Sequence, residues 1–300
     1  MKVLFVFVDG LGLGKDDAGV NPCVSEEFKL LKCIERGNGP LELPSNGLLI
    51  PTDAVLGVQG LPQSATGQTS LFSGVNCSRL VGRHVQGFPN ETLREVIREK
   101  SILKQLKEKG LSVRFINAFR PLFFKLPEKL KWRLSVTTIT ALAADCPILS
   151  LDDLAERRSI YHDMTNFYLV EKGFDVPRFT PEEAADILIK SGESHEFVLY
   201  EYFLTDRAGH SQNMQIAKEV LLNLERFMKR LIESIDPVQT LIVLTSDHGN
   251  VEDLSVKTHT VNRVPTMLWG RGADILKSRI HSLTDISPAL LSLFKDRGDQ

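Results

Sequence analysis

Three runs of the sequence, residues 3–10 (VLFVFVDG), 196–206 (EFVLYEYFLTD) and 240–247 (TLIVLTSD), are rich in β-branched and aromatic residues and hardly alternate apolar with polar. A strand with one wetted face alternates. A strand without alternation is covered on both faces, as in a sheet lying between helices. Helical patterns separate these runs. Residues 90–110 read as a helix that stops at Gly110, followed by a short strand within 112–118. Residues 180–192 open with Thr180, Pro181 and Glu183, the order of an N-cap, a first-turn proline and a capping-box acid. Residues 214–235 carry the period of a long amphipathic helix. Strands alternating with helices predict an α/β fold with a largely parallel sheet. Residues 121–179 break the rhythm with prolines, short mixed segments and clustered basic residues. The expected organisation is a catalytic core made of 1–120 and 180–300, with 121–179 inserted as a lid or small cap.

The bulk properties narrow the function classes. A chain of 300 residues can bury a large core. Its formal net charge of −2 provides no electrostatic footprint for nucleic acid or an acidic membrane, so neither is an expected partner. Cys23, Cys33, Cys77 and Cys146 are scattered, without a CxxC pair or companion histidine spacing, and read as ordinary thiols of a reducing compartment. The first apolar stretch is interrupted by Asp9, and no run approaches a membrane span in length. The expectation is a soluble cytoplasmic protein.

The chemistry sits where the apolar runs stop. Each ends in an aspartate: Asp9, Asp206 and Asp247. In an open α/β sheet, ligands bind just outside the carboxyl ends of the strands. Crowded carboxylates repel one another and resist ionising, so such a cluster needs a cation. Three of the seven histidines fall beside these acids: His210 four residues after Asp206, His248 next to Asp247, and His259 twelve residues further on. Six oxygen and nitrogen ligands exceed what one tetrahedral ion takes, which points to two divalent ions. Without cysteine ligands these are Mn2+ or Zn2+, with Mg2+ also compatible. A two-metal centre activates an oxygen nucleophile. Ser64, in GLPQSATGQTSLFSGVN (60–76), is the candidate, placed before a helix whose N-terminus is expected to face an anion. Thr66 and Thr69 are its local competitors. Arg83, His84 and Arg120 are candidates for binding a phosphate or a second anionic group of the substrate.

Taken in order, Asp9, Ser64 in SATGQ, then DRAGH, DHG and THT resemble the alkaline phosphatase superfamily. Within it, the set is similar to the branch of cofactor-independent phosphoglycerate mutases and phosphopentomutases. The resemblance implies a three-layer α/β/α core and two metals. One would be held by Asp206, His210 and His259, the other by Asp9, Asp247 and His248, with Ser64 bridging toward it and becoming a transient phospho-residue. This chain departs from the mutases in having Gln68 where they have histidine, Arg207 where they tend to have a smaller uncharged residue, and a shorter insertion. A short lid leaves a phosphoserine open to water. The expected activity is therefore hydrolysis of a small phosphorylated substrate, phosphatase- or phosphodiesterase-like, with a phosphomutase as the alternative. Two other classes fit less well. A dinucleotide-binding oxidoreductase lacks its third glycine, since Gly10, Gly12 and Gly14 are followed by Lys15. A non-catalytic metal-binding relative has no need of a complete ligand set beside a hydroxyl nucleophile.

Overall fold

The structure, a computed structural model, describes residues 1–37 and 39–294. Its strands are β1 (Lys2–Val8), β2 (Leu41–Leu43), β3 (Gly47–Thr52), β4 (Val113–Phe115), β5 (Phe197–Tyr202), β6 (Thr240–Ser246) and β7 (Val264–Gly270). They form one sheet in the order β2-β3-β7-β6-β1-β5-β4. β4, β5, β1 and β6 are parallel neighbours. β7 lies antiparallel between β6 and β3, and β2 pairs antiparallel with β3. Because β3 is aligned with β6, it joins β4, β5, β1 and β6, so that five of the seven strands point one way.

The missing alternation has the expected cause. Leu4, Val6 and Val8 of β1 enter one apolar cluster, while Val3, Phe5 and Phe7 enter another on the opposite face. β5 and β6 divide in the same way. Each buried side chain of this kind contributes about 1.5–3 kcal/mol relative to exposure. Helices Pro181–Ser194 and Met214–Ser234 pack together over the first face. Helices Ser64–Ser73, Glu91–Lys100, Val136–Ala143 and Leu283–Leu291 cover the second. The result is three layers, α/β/α. The Thr180–Glu183 capping box forms as read, with Glu183 N donating to Thr180 Oγ1 at 3.2 Å and Thr180 N to the Glu183 carboxylate at 2.9 Å.

Two local expectations change. Residues 90–110 are two helices, Glu91–Lys100 and Ile102–Glu108, because Ser101 takes an extended conformation and serves as the cap of both. β5 stops at Tyr202, and Asp206 lies in the first turn of helix Leu204–Ser211. Only two of the three aspartates therefore follow strand ends directly. The third reaches the same edge from a helix.

Residues 121–179 contribute five short helices, Pro121–Phe124, Glu128–Lys131, Val136–Ala143, Leu151–Ala155 and Phe167–Glu171. Their apolar residues divide between the main clusters: Val136 and Ile139 join one, Leu154, Ile160 and Leu169 the other. Within 121–179, large apolar side chains turn outward at Leu122, Phe124, Leu130 and Phe167. The four cysteines are buried and free. No helix among the described residues is long and apolar enough to cross a membrane.

Candidate metal centre

All six residues read as ligands meet at the carboxyl edge of β1 and β6. Asp9 follows β1, and its N–H is fixed by Tyr202 O at 3.0 Å. Asp247 and His248 follow β6 and are fully buried. Gly10 turns the chain away at φ +71°, and a Cβ there would lie 2.8 Å from Asp206 Cβ. Only glycine allows the end of β1 to approach the Asp206 helix this closely. This close approach gives the glycines after β1 a use other than cradling a dinucleotide.

Two groups of donors result. Asp9, Asp247 and His248 each offer an atom within 4.8 Å of the others, and so do Asp206, His248 and His259. His210 closes on the second group, its Nε2 lying 3.3 Å from His259 Nε2 and 3.4 Å from an Asp206 oxygen. His259 Nε2 is also 3.4 Å from Asp206. The ring of His248 stacks on that of His259 with centroids 3.8 Å apart, and its Nε2 lies 3.2 Å from Asp9 Oδ1.

The surroundings suit a cation. His210 Nδ1 lies 2.8 Å from Lys257 O and His259 Nδ1 lies 2.9 Å from Pro62 O. A backbone carbonyl accepts from a protonated Nδ1, which leaves each Nε2 lone pair facing inward, the arrangement found for metal-binding imidazoles. Asp9 Oδ1 is buried without a hydrogen-bond partner. Burial and the neighbouring Asp9 carboxylate lift Asp247 to about 7. Burial would lower His248, but Asp247 and Asp9 outweigh it and raise the imidazole to about 10. Burial would likewise raise Asp206, yet hydrogen bonding to His259 and the charge of His248 bring it to about 2. A cluster that strains toward holding protons in this way accepts divalent cations in their place.

Ser64 is the first residue of helix Ser64–Ser73, and its Oγ lies 3.0 Å from His248 Nε2. Its competitors face elsewhere. Thr66 Oγ1 bonds Gln63 O and accepts from Val85 N, and Thr69 Oγ1 donates to Ala65 O at 2.6 Å. A Ser-His-Asp triad is a poor description of this contact. In such a triad the acid holds the second ring nitrogen, whereas here Ser64 and Asp9 face the same Nε2 and Nδ1 has no partner. One expectation fails at this helix: the N–H groups of Ala65 and Thr66 go to Val85 O, so the first turn is largely closed to an anion.

The predicted substrate contacts scatter. His84 engages Ser78 Oγ with one ring nitrogen and Val58 O with the other, both at 3.1 Å. Arg83 is exposed and lines neither cavity at this edge. Arg120 lines a cavity next to the metal centre.

Other residues at the site escaped the sequence reading. Gln68 donates to Asp247 Oδ2 at 3.0 Å and Asp9 Oδ2 at 3.3 Å, holding two carboxylates in place. Arg207 lines the cavity above Asp9, Ser64 and Asp206. Both had stood out only as departures from the mutases. Asn250 donates to Asp206 Oδ1 at 2.7 Å. Fully buried Glu252 accepts from Gly12 N, Asn250 N and Asn262 Nδ2 at 2.7–3.0 Å, and from Thr260 Oγ1. Glu201, on β5, is buried beside the same cavity, and desolvation pushes its carboxyl up to about 8.

Comparison with known proteins places this geometry. Residues 170–295, which contain five of the six donors, match the family model of the Metalloenzyme superfamily. The chain is similar to the 2,3-bisphosphoglycerate-independent phosphoglycerate mutase of Methanococcus aeolicus, 27% identical over 106 residues, 35% of this chain and 26% of that protein. The corresponding enzyme of Methanopyrus kandleri is 27% identical over 128 residues, 39% of this chain and 29% of that one. The matched part thus spans about a quarter of the length of these curated relatives. A Pyrococcus horikoshii structure superposes with a TM-score of 0.56 at 15% identity, over 97% of this chain and 96% of its own. The alkaline phosphatase of the Antarctic bacterium TAB5 does so with a TM-score of 0.51 at 13% identity, over 97% of each. These two likenesses establish the fold, an α/β/α architecture of the alkaline phosphatase kind. The matched segment 170–295 is similar to the Metalloenzyme superfamily, and the chain's sequence similarity lies toward the phosphoglycerate mutases.

Proposed function

We propose that this chain is a two-metal phosphoryl-transfer enzyme that acts on phosphate monoesters through Ser64, with hydrolysis as the net reaction. The observation that carries the reading is Ser64 Oγ, free of the backbone bonds that occupy its neighbours, 3.0 Å from His248 within the acid–imidazole cluster. Asp206, His210 and His259 would hold one ion, and Asp9, Asp247 and His248 the other, as Mn2+ or Zn2+. Bound there, the ions lower the pKa of the serine hydroxyl and neutralise charge on the phosphoryl oxygens.

The residues of the chain do the rest. Ser64 Oγ, having lost its proton, bonds to phosphorus as the bond from phosphorus to the alcohol oxygen breaks, and the alcohol takes up a proton. Water then attacks the phosphoserine, phosphate leaves, and Ser64 regains its proton. Arg207 supplies a guanidinium to the phosphoryl oxygens, and Gln68 keeps Asp9 and Asp247 in register. The short segment 121–179 offers little area to seal a phosphoserine from water, which supports hydrolysis. The named relatives support the second reading, a phosphomutase in which Ser64 returns the phosphate to another oxygen of the substrate. A panel of phosphate monoesters run with Mn2+ or Zn2+ in oxygen-18 water separates the two. Label in free phosphate supports hydrolysis. An isomerised ester without phosphate release supports the mutase. Failure of every ester overturns phosphoryl transfer.

A further inference from the structure

The metal centre does not open only to bulk solvent. The cavity above Asp9, Ser64 and Asp206 has a volume of about 270 Å3 and shares Phe88, Ser135, Glu201 and Phe203 with a second cavity of about 430 Å3. The second cavity is of small-molecule size and differs in character from the first. Its wall is mainly aromatic and aliphatic, with Phe119 just before residues 121–179 and Phe123, Leu126 and Leu134 within them. Phe203 and His162 stack at 4.3 Å along it. Phe88 stands at the junction of the two cavities and is 65% exposed, an unusual position for a phenyl ring with nothing to cover it.

The polar groups of the second cavity are few and convergent. Glu201 sits on a strand whose same-face neighbours, Phe197 and Leu199, are buried in the apolar cluster. Asn117 brackets its backbone, with Nδ2 donating to Glu201 O and Oδ1 accepting from Glu201 N, both at 2.8 Å. Thr137 donates to Oε2 at 2.8 Å. Among the described residues Oε1 has no such partner. Arg120, Tyr161 and His162 are the other ionisable groups of the wall. His162 Nδ1 is also buried without a hydrogen-bond partner.

We propose that this second cavity is the subsite for the alcohol part of the substrate, and that it takes a ring-bearing, largely apolar alcohol carrying one hydrogen-bonding group for Glu201 Oε1. The proposal rests on the phosphoryl-transfer reading and adds the substrate class to it. A substrate with phosphate over the metal donors reaches the second cavity through the shared wall of Phe88, Ser135, Glu201 and Phe203. An apolar ring there removes the exposed face of Phe88 from water. A small, highly hydroxylated acid ester would leave most of that wall in contact with water, which costs binding in proportion to the apolar area left uncovered.

The test compares 2-phenylethyl phosphate with ethyl phosphate, whose leaving alcohols are chemically alike and differ in the ring. With Mn2+ present, kcat/KM for the phenylethyl ester is expected to exceed that for the ethyl ester by roughly 10-fold or more, the scale of discrimination an apolar pocket provides. Phe88→Ala alters an exposed side chain and leaves the core intact, so it reduces the ratio without unfolding the protein. Leu134→Arg places a charge in the wall and reduces it further. Equal kcat/KM for the two esters, or a ratio that neither substitution lowers, overturns the subsite. Calorimetric titration with the matching non-hydrolysable phosphonates separates this outcome from failure of the reaction. Preferential binding of the phenylethyl phosphonate without turnover of any ester upholds the subsite and overturns the reaction. Turnover without preference does the reverse, and absence of both overturns the two together.

Discussion

The two adjoining cavities are built on opposite principles. The candidate metal centre is made of acids and imidazoles on strand ends, one short helix and a loop, and five of its six donors are themselves held: His210 and His259 by backbone carbonyls, Asp9 and Asp247 by Gln68, and Asp206 by Asn250. The second cavity is lined mostly by uncharged side chains from loops and short helices, and at its rim Phe88 and Leu122 are exposed. Charge in a buried place is tolerated only with fixed partners, so the first region has little freedom to vary. Apolar lining needs only shape and area, so the second can change its residues and with them its ligand. Under the proposed function, chemistry belongs to the first and selectivity to the second.

Substitution at the donors should break the first region most completely. Asp247→Ala and His259→Ala are expected to lower activity on the order of 10³-fold or more and to reduce bound metal below two ions per chain, as read by elemental analysis, while the circular dichroism stays native. Full activity in either variant would mean that the cluster is not the reaction centre. Gln68→Ala removes a positioning group without removing a donor. A loss of about 10–100-fold in activity or metal affinity is expected, the usual effect of an outer-shell partner.

Glu252 tests whether the centre is also a structural keystone. Glu252→Gln replaces one of the acceptor oxygens on which four donors converge and is expected to destabilise the protein by about 2–4 kcal/mol, measured by denaturant unfolding with and without Mn2+. An unchanged midpoint would show that the loop after β6 is held by other means.

Titration sharpens the comparison further. In metal-free protein, Asp247 is raised to about 7 and His248 to about 10, so the folded state holds protons that the unfolded chain releases at lower pH. Their contribution is complete at low pH. That of Asp247 is lost between about 4 and 7, and that of His248 between its ordinary value near 6.5 and about 10. Asp206, depressed to about 2, acts in the opposite sense, stabilising above its ordinary value near 4 and losing that effect toward pH 2. The melting temperature of metal-free protein should therefore fall as pH rises from about 5 to 9, and that of metal-loaded protein should fall less, because cations replace the protons. Parallel curves would contradict the electrostatic account. The smallest effect belongs to the second region's rim, where Leu122→Ser should change stability by no more than about 0.5 kcal/mol.

The acid–imidazole cluster was legible in the sequence because its members are tied to local punctuation. Asp9 and Asp247 stand where an apolar run stops, and His210 and His248 follow an acid at short spacing. Asp206 was placed at a strand end because FLTD extends the apolar run, although the chain turns into a helix at Leu204. Glu252 and Asn250 carry no such mark. An acid in a polar loop reads as solvated, and only the folded arrangement reveals four donors converging on it. The break at Ser101 was hidden for a similar reason, since the helical period continues across the residue while its backbone does not. The second cavity was the least legible, because it joins Phe88, Arg120, Tyr161 and Glu201 from four separate segments. Its apolar residues look like any other core.

In the proposed reaction Ser64 receives the phosphoryl group at a metal-loaded centre. The most direct measurement is mass spectrometry of peptides after rapid acid quench of Mn2+-loaded protein turning over a phosphate monoester, alongside Ser64→Ala. Phosphate is expected on the peptide containing Ser64 in the wild type, and in the variant no phosphopeptide, no turnover and an unchanged content of two metal ions. Phosphate on another residue, or turnover that persists in Ser64→Ala, would contradict the proposed reaction.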